Sequence, residues 1–239
     1  MKDLNYQLMK LCRDNRDGSY STQANRSRIL DLMANQLADL RFRRMQTTSL
    51  KPKHVDALVT LWKDQKISTG TMKNRLSALR WWARKINKPG IISKDNSAFG
   101  IGNRCCVNNE SKAQYLDAKT FSKISDPYVR LSLQLQAAFG LRREEAIKFR
   151  PGYAIKGDHI KLKASWTKGG RARTVPITNG RQWALLAEVR NLARGGSLIP
   201  PELKYVEQMN RYDYQVRKAG LKNPHGLRHA YAQRRYFEL

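Results

Sequence analysis

The sequence predicts a mainly helical protein with one small antiparallel sheet, an α+β arrangement, built as two domains. Three features lead there. Apolar residues recur at helical spacing through residues 1–90. A polar stretch with two glycines and no period follows, over residues 91–111. Beyond it, short alternating runs sit between further helical segments, at residues 112–239.

The elements follow in order. Thr22 to Met45 reads as an amphipathic helix, with Ile29, Leu32, Met33, Leu37 and Leu40 on one face. Pro52 suits the first position of a second helix, in which Val55, Leu58, Val59 and Trp62 repeat. A third follows the "ISTGT" turn, with Met72, Leu76, Leu79, Ala83 and Ile86 as its buried stripe. Its other face offers Lys73, Arg75, Arg80, Arg84 and Lys85 as phosphate-contacting residues, and it stops at "NKPG". In the second half, Asp117 can cap a helix through Ile124, and Asp126-Pro127 can open one that runs to Ala138. "FGLRREEAIKF" reads as a tight turn into another helix. "YAIKGDHIKLKAS" and "RARTVPIT" supply the strands, and "TKGG" the turn between the last two. Helices are expected from Arg181 to Ala193, from Glu202 to Lys218, and from His225 onward.

Charge narrows the function. Against 46 Lys and Arg stand 19 Asp and Glu, a net charge of +27. Residues 1–107 carry 21 basic and 8 acidic residues and the remainder 25 and 11, so both halves are basic. That division fits a clamp around a polyanionic duplex better than a basic tail on a neutral body. Cys12, Cys105 and Cys106 form no C-x-x-C pair and no disulfide framework. No metal site and no cofactor is expected. The N-terminus lacks the apolar core of a signal peptide, and no stretch is long enough to span a bilayer. The expectation is a cytoplasmic protein.

Three basic clusters carry the chemistry. Arg142 opens a helix in "GLRREEA", Lys168 sits near a hairpin tip in "TKGGRARTVPI", and His225 and Arg228 share a helix face with His229 beside them. Singly each is unremarkable: Arg142 can pair with Glu145, Lys168 can be a solvated turn residue, and the His-x-x-Arg pair can be a surface patch. As a set they suit phosphoryl transfer. Two arginines can fork onto phosphate oxygens and stabilise the charge that develops there. A lysine can protonate a leaving oxygen, and a histidine can move the proton of an attacking hydroxyl.

In this order, "GLRxxE" (Gly140–Glu145), "TKGxxxRxVPI" (Thr167–Ile177) and "HxLRH" (His225–His229) resemble the tyrosine recombinases, or phage integrases. The stretch "LKPKHVDALVTLWKDQKISTGTMKNRLSALRWWARK" is similar to the family's helical core-binding domain. The resemblance implies a core-binding domain over residues 1–90, a linker over 91–111, and a catalytic domain over 112–239. It implies Arg142 and Arg228 as phosphate-binding arginines, Lys168 as general acid toward the leaving 5′ oxygen, and His225 as the proton-transfer residue. Glu145 and His229 would support the site, and Arg171 and Arg173 would join the DNA contacts. The implied partners are double-stranded DNA and other recombinase subunits on paired sites, as a tetramer, with no membrane.

Two departures from the family pattern stand out. Ala146 occupies a position where a Leu is usual. The pattern also continues past the second box into a further helix and a nucleophilic Tyr, for which the residues between Arg228 and Leu239 leave no room. Tyr231 and Tyr236 are too tightly tethered to Arg228 to replace it. Two readings therefore follow: a recombinase that cleaves and rejoins strands through a 3′-phosphotyrosyl link, this chain lacking the nucleophile, or a non-catalytic relative that occupies recombination sites. RNA binding is a weaker third, since no aromatic RNP stripe or GXXG clamp is present.

Overall fold

The computed structural model describes residues 3–103 and 110–238. Cys105 and Cys106, in the middle of the expected linker, lie outside the described residues. The chain divides into two compact units, Met1–Asn108 and Asn109–Leu239.

The first unit is all helical. Helix α1 (Asp3–Asp14) lies outside the elements expected from periodicity, because only Leu4 and Leu8 mark its apolar buried face. Asn5 between them is buried as well, and its side chain donates to Asp31 Oδ1 at 2.7 Å. Asp31 belongs to α2 (Tyr20–Asp39), which Ser19 caps by accepting from the Thr22 amide. The expected continuation to Met45 does not form: Leu40 closes the helix and Arg41 turns left-handed, with φ at 68°. The buried face is Leu30, Met33, Ala34 and Leu37, an i, i+3, i+4, i+7 stripe, while Leu32 is 39% exposed. The stripe is rotated from the expected one because α1 packs along α2 and α3 and α4 also meet it.

Helix α3 (Pro52–Asp64) buries Val55, Leu58, Val59 and Trp62, as its spacing predicts. The Trp62 indole N–H donates to buried Gln36 Oε1 at 3.0 Å, so the largest residue of the core is also satisfied. Ser68 caps α4 (Thr69–Lys85), whose Leu76, Leu79 and Ala83 are buried as expected. Met72 and Ile86 sit only at the edge of the core. Trp81 and Trp82 widen the stripe; they donate to Asp17 Oδ2 at 2.8 Å and to the Thr47 carbonyl at 3.0 Å. Ile92 and Ile101 are buried in the same core, so this part of the glycine-bearing stretch packs on the helices.

The second unit joins helices to a three-stranded sheet. Asp117 caps α5 (Ala118–Ser122) through the Thr120 amide at 2.7 Å. Asp126 caps α6 (Pro127–Phe139) through the Val129 amide at 3.0 Å. Gly140 ends α6 in the left-handed region, with φ at 61°, and the chain enters α7 (Arg143–Ile147) and then α8 (Pro151–Ala154). Strands β1 (Ile155–Lys156), β2 (His159–Leu162) and β3 (Arg173–Pro176) pair antiparallel in that order, with Ile160 opposite Val175. Helix α9 (Gly180–Ala193) follows an Asn179 cap. Helix α10 (Tyr205–Ala219) starts three residues later than Glu202, and α11 (Gly226–Phe237) completes the unit. Two apolar clusters hold it together. One joins the sheet residues Ile160, Leu162 and Val175 to α6 and α9, and the other packs α10 on α6 around Tyr212. Gln136 donates to the buried Tyr212 hydroxyl at 2.8 Å. Among the described residues no helix is long and apolar enough to cross a membrane, and no group of three potential metal-ligating side chains comes together.

The Asp126 cap offers a direct test of this architecture. Asp126→Ala should destabilise the protein by about 1 kcal/mol, whereas Asp126→Asn keeps the cap and should lose a few tenths. Equal losses in denaturant unfolding would assign the effect to the Asp126–Arg211 ion pair, which spans 3.3 Å.

Candidate functional site

The site grows out of the break between α6 and α7. Gly140 turns the chain, and Arg142 stands at the N-cap position of α7. A negative group three residues into a helix can reach back to the cap. Glu145 does so here: Oε2 accepts from the Arg142 backbone N–H at 2.7 Å, and Oε1 accepts from Arg142 Nη1 at 2.8 Å. Glu145 is fully buried. Its Oε2 also accepts from Arg173 Nη2 at 2.6 Å, tying the first residue of β3 to the start of α7. Burial pushes the Glu145 carboxyl up, but the Arg142 amide and the two guanidinium groups pull it further down, so it is held below the usual carboxylate range.

Helix α11 brings the second group. Arg228 Nη1 donates to the Gly140 carbonyl, so the second box is bonded to the turn that begins the first. Burial lowers the Arg228 pKa, and the charges of Arg173 and Arg142 lower it further, while Glu145 opposes them. Tyr231, one turn on, lies against Gly140: a Cβ there would fall 2.4 Å from the Tyr231 ring. With φ at 61° and no room for a side chain, position 140 requires glycine.

His225 precedes α11, and its ring meets that of His229 edge-on at 5.3 Å. Its pKa is lowered by partial burial first, and then by the positive charge of His229, Arg228, Arg142 and Lys168. Arg142, Lys168 and Arg228 therefore all lie within electrostatic reach of His225, although the four residues come from three separate stretches of sequence. Lys168 is exposed on the turn before β3, where Gly169 and Gly170 are both left-handed. Thr167 Oγ1 donates to the Ala164 and Arg171 carbonyls and closes that loop. Arg171, in the same loop, is exposed as well.

The remaining sequence candidates fall differently. Arg173, expected among the DNA contacts, spends one guanidinium nitrogen on Glu145, and its Nε is buried with no hydrogen-bond partner. The strand alternation carries that signal: Val175 is buried, so Arg173, two residues before it, faces the same side. In the first unit, Arg80 is bound to the Ser93 carbonyl and Asn96 Oδ1, both at 2.9 Å, and Lys85 pairs with Asp17 at 2.9 Å. Arg75 lies over the Trp62 ring at 5.3 Å with Nη1 buried and without a partner. Arg84 is exposed and Lys73 half-exposed. Tyr231 is half-buried and packed on the core, and Tyr236 is 78% exposed.

Comparison with known families and structures identifies the chain's relatives. A family model described as phage integrase, N-terminal, matches residues 1–88, and one described as integrase matches residues 102–234. Among solved structures, a lambda integrase tetramer bound to a Holliday junction superposes with a TM-score of 0.62 at 16% identity, over 96% of this chain and 71% of that one. The Tn1549 transposon integrase in complex with circular intermediate DNA gives 0.60 at 15% identity, over 100% and 88%. The XerH site-specific recombinase bound to its difH substrate gives 0.59 at 17% identity, over 98% and 74%. At these identities the likeness is one of fold. No curated protein sequence matches the chain.

Removing the shared carboxylate is the most direct test of the geometry. Glu145→Gln leaves Arg142, Arg173 and Arg228 without a counter-charge and should cost about 3 kcal/mol. The sign with pH follows from the lowered carboxyl pKa. Its contribution is present above the unfolded value of about 4.3 and lost as pH falls through the folded value. Unfolding measured from pH 7 down to 3 should show wild type losing stability below about pH 4.3, and Glu145→Gln losing less.

Proposed function

Because the chain belongs to the phage integrase family of tyrosine recombinases, we propose that it binds duplex DNA as a site-specific recombinase, in the cytoplasm of its host. On this reading it uses Arg142, Lys168, His225 and Arg228 to cleave and rejoin strands through a 3′-phosphotyrosyl intermediate. The observation that carries the reading is the buried Glu145, which holds Arg142 by two hydrogen bonds beside Arg228 and His225. Positive groups fixed in this way stabilise the charge that builds on the non-bridging oxygens during attack.

The roles divide by chemistry. Arg142 and Arg228 grip the scissile phosphate. Lys168, on its glycine-flanked loop, reaches the leaving 5′ oxygen and protonates it. His225, neutral at pH 7 because its pKa is lowered, accepts the proton of the attacking phenol. Neither Tyr231, packed against Gly140, nor the surface Tyr236 is placed to supply that phenol. The covalent link conserves the energy of the broken ester, so no high-energy cofactor is required. Lys73, Arg84 and Arg171, the exposed or half-exposed cations, contact flanking phosphates, and further subunits assemble on paired sites. A second reading rests on the same placement of Tyr231: a phosphate-gripping protein that occupies recombination sites without cleaving them.

With the attacking tyrosine supplied, a nicked suicide duplex should trap a covalent complex. Arg228→Ala should abolish trapping while leaving most duplex affinity, because one phosphate contact among many is lost. Lys168→Ala should slow cleavage of ordinary DNA and recover on a 5′-bridging phosphorothioate, whose leaving group needs no acid. Cleavage by Arg228→Ala at the wild-type rate would remove it from the site.

Binding should also depend on pH. In the free protein burial and the neighbouring positive charges hold the His225 pKa below its ordinary value, whereas a neighbouring phosphate raises it, so binding takes up a proton. Duplex affinity should therefore rise as pH falls from 7.5 toward 6, and His225→Gln should flatten that slope. A parallel slope in the variant would assign the proton to another group.

A further inference from the structure

At the foot of the Lys168 loop, the second unit holds a cavity of about 260 Å³ lined by aromatic and basic side chains. Tyr153 and Trp166 form the aromatic wall, with ring centroids 5.5 Å apart at an angle of 71°. Lys148, Arg150 and Lys163 stand at the rim, and no carboxylate lines it. Lys148 is already engaged by Glu144 and lies over the Tyr205 ring at 4.3 Å. Arg150 and Lys163 are exposed and have no acidic partner among the described residues. Ser197 Oγ accepts from the Ile199 amide at 3.3 Å, which leaves its O–H free to donate. Neither the Trp166 indole N–H nor the Tyr153 hydroxyl has a partner among the described residues.

Such a combination selects its ligand. Unpaired cations at the mouth select an anion, and aromatic walls with free donors select a planar, hydrogen-bonding ring. Drug-sized ligands occupy roughly 300–1,000 Å³, so a cavity of about 260 Å³ suits a single base. We propose that the cavity is a nucleotide subsite, in which a single base stacks on Trp166 and its phosphate is held by Arg150 and Lys163. The nucleotide is either free or an unstacked residue of a bound strand, and the chemistry of recognition is the same.

The placement gives the subsite a consequence. Trp166 ends the short turn Ala164–Trp166, and Thr167 Oγ1 binds the Ala164 carbonyl at 3.0 Å on its way to closing the Lys168 loop. A base stacked on Trp166 restrains the foot of that loop and hence the reach of Lys168. This consequence rests on the function proposed for Lys168; the subsite itself does not.

Calorimetric titration of the full chain with thymidine 5′-monophosphate, and separately with orthophosphate, tests the proposal. Saturable binding of the nucleotide, at least tenfold tighter than orthophosphate, is expected, and Trp166→Ala should weaken it by about tenfold or more. Since Trp166 packs on the core, the double variant Arg150→Gln/Lys163→Gln, both exposed positions, provides the second arm and should weaken binding comparably. Absence of saturable binding, equal affinity for orthophosphate, or an unaltered double variant would overturn it. The source is resolved with a 2-aminopurine duplex. A fluorescence change that depends on Trp166 and is displaced by the nucleotide identifies a strand base, and nucleotide binding without that change identifies a free ligand. Duplex affinity, followed in parallel, fails or survives independently of the nucleotide titration, so the two readings are separable.

Discussion

One buried carboxylate organises the second unit. Glu145 uses both oxygens, one for the Arg142 guanidinium and the other for the Arg142 amide and Arg173. It thereby fixes the start of α7, the side chain of its N-cap residue and the entry of β3 with a single group. A buried charge is tolerable only when it is paired and fully hydrogen-bonded, and here the pairing is overcomplete. With Arg228 also within electrostatic reach, three guanidinium groups surround one carboxylate. The cluster is left about two charges positive, a local field that favours an anion.

Gly140 is the second constraint, and it depends on the first. Its left-handed turn lets α6 stop and Arg142 reach the cap, its carbonyl receives Arg228, and its missing side chain admits the Tyr231 ring. Helix α11 is thus docked twice onto one residue, by a hydrogen bond and by close packing. The start of α11 is thereby held against the turn that precedes Arg142. Such positioning lets a site act on its transition state without reorganising.

Much of this was legible in the chain. Asp117, Ser68-type caps aside, and Asp126 marked their helices because a short acidic side chain has a specific partner in the first turn. The hairpin, the turn at Lys168 and the His225–His229 helix were readable from glycine placement and alternation. What failed was where tertiary packing overrides period. The α2 stripe is rotated, leaving Leu32 exposed, because α1 covers a face that no local pattern announces. The tryptophans of α4 broaden its buried face beyond a single stripe. The role of Arg173 was missed for a different reason: composition counts it as one more cation, whereas its strand parity turns it inward to Glu145.

The same distinction explains where the charge of +27 resides. Arg80 and Lys85 serve carbonyl and carboxylate partners within their own unit, and Arg75 lies along Trp62, so part of the basic face is structural. In the second unit Arg142, Arg173 and Arg228 instead converge on Glu145. His225 and Arg228 both have pKa values lowered by partial burial and by their positive neighbours, which means that the free site disfavours its own charge. An anion placed among these groups reverses the sign of that interaction, and more strongly as its own charge grows. A group that gains charge in the transition state, as a phosphodiester under attack does, collects more of this relief than the ground state. Repulsion among these groups therefore favours an anion whose charge grows over one whose charge is fixed.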